Sequence, residues 1–260
     1  MYLLIILLCT NFILASYGGG YAGSGLRYAS NAREFSLSGS LIADKQNGFS
    51  SFSNPASIRL SRKNIIGMSI QNLSLDRSIQ SFNYSKQLPP SAAVSIAFLR
   101  SGTTNIDVTD EMNKKIGTLQ SSETAGMISF SIGFTSKLSI GINIKALFSQ
   151  IYRDYKGKGI SGDFGLIYRL SRNLYFGAMI NNINASYNWK DSNDSSPYQE
   201  YFPKLYIIGL SYYAKQYSLF YQHDIVTINN NNVNYRIRNG IEFKLKNKIK
   251  LRFGFKQASG

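Results

Sequence analysis

Alternation of apolar and polar residues is the feature that most restricts what this chain can fold into. In residues 137–150, every second position from Leu138 to Phe148 is apolar, and the positions between them are mostly small or polar, such as Asn143 and Lys145. Successive side chains of a strand point to opposite faces, whereas a helix would spread these apolar residues around its circumference. The segment therefore predicts a β-strand with one apolar face and one polar face.

The same alternation returns along the chain from about residue 64 onward. Clear segments are residues 126–135, 160–170, 174–182, 205–213, 235–245 and 249–255, and residues 218–225 are weaker because His223 interrupts the apolar positions. Shorter candidates are residues 65–72, 79–84 and 92–98, and residues 35–42 are a weaker one. The pattern predicts about twelve strands.

The connections between these strands differ in length in a regular way. Short connections at residues 135–137, 171–173 and 246–248 alternate with longer polar ones at residues 107–124, 185–203 and 227–234. Short turns at one end and long loops at the other are typical of outer-membrane barrels, and strands of about ten residues match a tilted crossing of the bilayer. We therefore predict an all-β, antiparallel transmembrane β-barrel. An exported soluble β-sandwich with a structural or surface-binding role is the alternative, because its strands also alternate.

The charge balance is strongly basic. The chain of 260 residues has 29 Lys and Arg against 14 Asp and Glu, a net charge of +15. This excess favours an anionic neighbour, and because the basic residues are spread along the strands rather than gathered in runs, lipid is favoured over nucleic acid.

If the apolar faces meet lipid, the basic side chains of the polar faces lie in the lumen. These are Lys145, Arg169, Arg236, Arg238, Lys244, Lys250, Arg252 and Lys256. Only Asp163, Asp224 and Glu242 oppose them. Two interpretations stay open: a basic lumen that attracts carboxylates or other anions, or an ion-pair and hydrogen-bond network that fills a narrow barrel.

The N-terminus predicts export. Residues 1–16 are apolar and uncharged and end in the small residues Ala15 and Ser16, which suits a signal peptide over residues 1–18, although the usual basic start is missing and a short membrane anchor is the alternative. Residues 19–62 are expected to form a plug or first-strand segment, and residues 63–260 the barrel.

Catalytic and metal-binding patterns are not found in the sequence. The single cysteine, Cys9, lies in the leader, and the single histidine, His223, adjoins Asp224 on a predicted strand, where neighbours point to opposite faces. We therefore predict that the protein is not an enzyme and uses no cofactor or metal.

Residues 33–58 carry a more specific likeness. They contain Ala43-Asp44 and the run Asn54-Pro55-Ala56-Ser57-Ile58. This stretch resembles the N-terminal signature of the PorV/PorQ-like outer-membrane β-barrel family, which is related to the FadL fatty-acid transporters. Ser57 and Ile58 depart from the Gly-Leu of the signature. The strand and turn sequence of residues 133–185 is also similar to that of the family.

The resemblance implies an outer-membrane barrel of a Gram-negative-type bacterium, with an N-terminal segment inside or under it. Family members act in type IX protein secretion or pass hydrophobic compounds. The implied partners are outer-membrane lipid, secreted cargo proteins or hydrophobic small molecules. The family has about fourteen strands, so we expect residues 63–260 to be truncated by roughly a hairpin at the C-terminus. Asn54 and Pro55 are expected to form a rigid turn, because Pro fixes its own φ and restricts the residue before it.

Overall fold

The computed structural model describes residues 21–45, 48–61, 63–151, 155–190, 198–228, 232–246 and 249–258. Within these ranges the dominant element is a single antiparallel sheet of 13 strands. Its strands are β1 (Ile65–Leu73), β2 (Arg77–Leu88), β3 (Ala92–Thr109), β4 (Lys115–Gly133), β5 (Leu138–Gln150), β6 (Lys156–Arg169), β7 (Leu174–Ile183), β8 (Ser186–Lys190), β9 (Tyr198–Tyr201), β10 (Lys204–Tyr213), β11 (Tyr217–Ile228), β12 (Asn232–Lys246) and β13 (Ile249–Ala258).

Strand order follows chain order with one interruption. Each strand from β1 to β7 pairs with the next, β7 then pairs with β10, and the order continues to β13. The strands β8 and β9 form a short hairpin that is attached to the sheet where β8 pairs with β6. In the described part of the chain, β1 and β13 are the first and last strands of this order.

The two faces of the sheet have inverted polarity compared with a soluble protein. In β5, Asn143 and Lys145 are buried, whereas Ile142 and Ile144 are 45% and 62% exposed. The other strands repeat the pattern, with large apolar side chains on the outer face. The soluble β-sandwich is therefore wrong, because these strands form one sheet and its apolar side faces out. The fold is an all-β, antiparallel transmembrane barrel.

Residues 21–61, here called the inner segment, pack against the inward side of the sheet. The segment contains the 3-10 helices η1 (Gly25–Arg27) and η2 (Pro55–Leu60) and the short helices α1 (Ala32–Ser36) and α2 (Ser50–Ser53). Its apolar side chains join inward-facing side chains of the strands in one buried cluster, which includes Leu37, Leu41, Ile42, Ile167, Met179 and Phe220. No helix in the described ranges is long and apolar enough to cross a membrane.

The strand predicted at residues 35–42 is wrong. The side chain of Asn31 accepts a hydrogen bond from the Glu34 N–H and so caps helix α1, which continues to Ser36. Ser38 then has a φ of 53°, which a strand residue does not adopt. The apolar residues of this stretch alternate by coincidence, and capping and turn chemistry decide its conformation.

The predicted long loops contain more strand than expected. Strands β3 and β4 remain paired as far as Thr109 and Lys115, within the predicted loop at residues 107–124. The predicted loop at residues 185–203 contains β8 and β9. In the extensions of β3 and β4, polar side chains occur on both faces and weaken the alternation. In β8 the alternation is present, with Tyr187 and Trp189 buried between polar residues, but it covers only five residues. The predicted signal peptide lies outside the described residues.

Candidate binding cavity in the lumen

Asn54 and Pro55 anchor the inner segment to the barrel wall. Asn54 is fully buried, and its side-chain amide donates to the carbonyl oxygens of Ile42 (2.8 Å) and Leu166 (3.3 Å). Its Oδ1 accepts from the N–H of Ala56 at 3.0 Å and so caps η2, where Pro55 occupies the first turn. One side chain thus joins two parts of the inner segment to β6 and leaves no hydrogen-bonding atom of its amide unsatisfied.

Glycines in the barrel wall allow the backbone at Asn54 and Pro55 to approach the strands closely. A Cβ added at Gly141 would lie 2.5 Å from the Pro55 carbonyl carbon, and one added at Gly165 would overlap Asn54 Oδ1. These two glycines are directly opposite each other in β5 and β6. The wall is therefore shaped for the backbone of the inner segment at this point.

The charged centre of the inner segment is Arg33. Its guanidinium pairs with Asp44 of the inner segment and, at 3.1 Å, with Glu242 of β12. Glu242 also accepts from Arg252 at 2.7 Å and lies 3.4 Å from Lys250. Both carboxylates are fully buried, and each buried negative charge is thus paired, as burial requires.

Two further ion pairs lie on the inward face of the wall. Arg238 pairs with Asp224 across β12 and β11 at 2.5 Å. Lys145 pairs with Asp163 at 2.6 Å and donates to the side-chain oxygens of Asn181 and Asn182. Each acid that the sequence placed on the polar faces therefore neutralises at least one of the predicted lumenal cations.

The remaining predicted basic residues differ in placement. Arg169 is exposed near the short turn after β6, and Lys244 is half-buried. Arg236 is half-buried and Lys256 is exposed, and both line the cavity described below. Neither Arg236 nor Lys256 takes part in an ion pair of the described residues.

A cavity of about 1020 Å³ remains between the inner segment and the wall. Its apolar lining includes Leu99, Met127, Leu147, Phe202, Leu205 and Ile207. Its basic lining consists of Arg27, Lys145, Arg236, Arg238, Arg252 and Lys256. The volume is at the upper end of that of small-molecule sites, which are typically apolar with a few placed polar groups. The arrangement can hold a small apolar molecule and attract a negative charge at its end.

Sequence reasoning missed Arg27 and Arg33 as lumenal groups, because both lie outside the strands. Burial lowers the pKa of the Arg27 guanidinium, an effect that Glu123 partly opposes. Arg33 could have been predicted from Asp44. This carboxylate follows the apolar residues 41–43, and a buried carboxylate needs a cation beside it.

No protein-family model and no curated protein sequence matches the chain. Several solved structures do. The toluene transporter TodX of Pseudomonas putida is 13% identical, with a TM-score of 0.62 over 88% of this chain and 83% of TodX. The toluene transporter TbuX of Ralstonia pickettii is 13% identical, with a TM-score of 0.61 over 88% of this chain and 86% of TbuX.

The monoaromatic hydrocarbon channel CymD is 9% identical, with a TM-score of 0.54 over 92% of this chain and 94% of CymD. At these identities the likeness concerns the fold. This chain is folded like these two transporters and this channel, and the likeness extends over most of both chains in each comparison. The finer resemblance to the PorV/PorQ branch stays a prediction.

Proposed function

We propose that this protein is an outer-membrane barrel that passes hydrophobic small molecules, including amphipathic anions, through its lumen. The observation that carries the proposal is the lumenal cavity with one apolar and one basic lining. The fold it shares with two toluene transporters and a monoaromatic hydrocarbon channel supports it. The type IX secretion role that the resemblance implies stays a prediction, which capture of exported proteins on the purified barrel would test.

The apolar lining supports binding of the hydrophobic part of a ligand. Leu147 is 2% exposed and Met127 is 7% exposed, and both point from the wall into the cavity. Removing apolar ligand surface from water stabilises a complex by roughly 25 cal/mol per Å². A ring or a short alkyl chain can therefore be held here without specific polar contacts.

The basic lining supports discrimination between anions and neutral molecules. Arg236 and Lys256 are cations without an ion-pair partner among the described residues, whereas Arg238 and Arg252 are already neutralised. A carboxylate at the end of an apolar ligand would meet Arg236 and Lys256 first.

The test is equilibrium binding of decanoate and decanol to the purified barrel in nanodiscs. The variant Leu147→Trp, which places a bulkier side chain in the apolar lining, should weaken binding of both ligands, and the double variant Arg236→Gln with Lys256→Gln should weaken binding of decanoate selectively. Ile144→Trp, on the lipid side of the same strand, is the matched control and should bind like the wild type. Equal binding by Leu147→Trp and Ile144→Trp would show that the cavity is not the site.

Passage is then measured in proteoliposomes that enclose a reporter of the arriving solute. The solute is decyl sulfate, whose permanent charge makes it cross lipid slowly. Wild-type protein and Ile144→Trp should accelerate its uptake over empty vesicles, and Leu147→Trp should accelerate it less. Uptake that is the same with and without the protein would contradict the proposed function.

A further inference from the structure

A second basic cluster lies on the outer face of the wall, away from the lumen. Arg100 of β3 and Lys156 and Lys158 of β6 are exposed and line one depression of about 310 Å³. The pairing of the strands explains why they converge. Arg100 is opposite Thr124, Thr124 is opposite Phe148, and Phe148 is opposite Lys158, so these four residues form one row across the sheet.

The next row of the sheet, on the side away from the long connections, is apolar, and its two central residues are small. It consists of Phe98, Gly126, Ala146 and Ile160 in the same register. A Cβ added at Gly126 would meet nothing within 4 Å, so the surface there is open. Below this row, Ile128 and Ile144 are 65% and 62% exposed and continue the lipid-facing surface. The basic cluster therefore lies at the border of an apolar surface with a shallow notch beneath it.

The cluster lies at the end of the barrel that carries the longer connections. Strand β3 continues from Arg100 into the long β3–β4 hairpin. Lys156 is the first residue of β6, directly after the connection from β5. In outer-membrane barrels, short turns are periplasmic and long loops are extracellular. This end therefore corresponds to the outer leaflet.

The three cations are not neutralised within the described part of the chain. No ion pair there includes Arg100, Lys156 or Lys158. The other residues of the depression include Ser122, Thr124 and Gln150, which can donate hydrogen bonds to oxygen atoms. A cluster of uncompensated cations with neutral donors is suited to phosphate oxygens.

We propose that Arg100, Lys156 and Lys158 bind the phosphorylated headgroup of an outer-leaflet glycolipid, with an acyl chain of that lipid on Gly126 and Ala146. The charge of the cluster complements a phosphate, and the apolar notch directly below it complements a chain. The site presupposes the proposed outer-membrane location but not the passage of solutes.

The experiment counts bound lipid by native mass spectrometry after release of the full chain from nanodiscs. The nanodiscs contain phosphatidylcholine with diphosphoryl lipid A as the probe. The triple variant Arg100→Gln, Lys156→Gln and Lys158→Gln should lower the affinity for lipid A by about 100-fold, since each Lys or Arg near an anionic lipid surface contributes roughly a fivefold gain. Heat-modifiable gel migration verifies that each variant is folded.

The matched control removes three exposed cations from the opposite end of the barrel. It carries Lys137→Gln, Arg172→Gln and Lys215→Gln, which have the same total charge change. This control should retain lipid A like the wild type. Equal affinity of the wild type and the cluster variant, or equal losses in the two triple variants, would overturn the proposal.

Two further binding measurements distinguish a lipid phosphate from free inorganic phosphate as the ligand. Dephosphorylated lipid A should bind the wild type no better than it binds the cluster variant. Inorganic phosphate at millimolar concentration should not displace lipid A, because it lacks the acyl chain. Full displacement by inorganic phosphate would show a simple anion site and overturn the assignment to a lipid. Because the readout is bound lipid, a negative result for solute uptake leaves it unaffected.

Discussion

At the scale of single residues, the lumen is governed by the cost of burying charge. Glu242 and Asp44 are fully buried, and Arg33 from the inner segment lies between them. The pairing therefore has a structural role in holding the inner segment against β12. Arg236 and Lys256 line the cavity and take part in no ion pair of the described residues, so they are available to a ligand.

Removing the charge of Glu242 should destabilise the protein. In Glu242→Gln, the guanidinium groups of Arg33 and Arg252 lose their shared carboxylate inside the barrel, which typically costs about 3 kcal/mol. The free energy of unfolding in urea, followed by the loss of heat-modifiable migration in detergent, measures this. Lys115→Gln breaks an exposed pair with Asp107 and should cost less than about 1 kcal/mol. Equal losses would mean that Glu242 is not a structural centre.

Gly141 should tolerate no side chain. In Gly141→Ala the new methyl group would lie 2.5 Å from the backbone of Pro55, so the inner segment must shift, at a cost of about 1–3 kcal/mol. Gly117→Ala is the control, since a Cβ there meets nothing within 4 Å. The same unfolding assay compares them, and a Gly141→Ala variant as stable as the control would argue against the close contact.

At the scale of elements, periodicity predicted the barrel strands because one face of each meets lipid and the other does not. It failed where that asymmetry ends. The outer part of the β3–β4 hairpin has polar side chains on both faces, the alternation of β8 covers only five residues, and residues 35–42 follow capping and turn preferences. The pairing of Arg33 with Glu242 joins residues 209 positions apart, which no local pattern reveals.

The outer part of the β3–β4 hairpin should be dispensable for barrel integrity. The side chains of residues 110–118 are mostly exposed, and Met112 is 90% exposed. Trypsin should therefore cleave at Lys114 or Lys115 under native conditions, as at the exposed turn residues Lys137, Arg172 and Lys215, and the fragments should still migrate together as a folded barrel. The buried Lys145 serves as an internal control, since cleavage there should require unfolding. Dissociation of the fragments without heating would contradict this expectation.

At the scale of the whole molecule, polarity is inverted and positive charge is distributed over two surfaces. The lumen contains cations that are partly neutralised by buried acids, and the outer face carries Arg100, Lys156 and Lys158 at one border of its apolar surface. The net charge of +15 is thus consistent with an anionic lipid neighbour and an amphipathic anion in the lumen, at separate places.

Quenching of tryptophan fluorescence by brominated lipids tests whether the apolar face of the sheet meets lipid. The native tryptophan, Trp189, is replaced by Phe, and Ile144→Trp and Leu147→Trp are compared in the same background. Ile144 is 62% exposed on the outer face and Leu147 is 2% exposed on the inner face. We predict strong quenching of Ile144→Trp and weak quenching of Leu147→Trp. Equal quenching of the two, or stronger quenching of Leu147→Trp, would contradict the account.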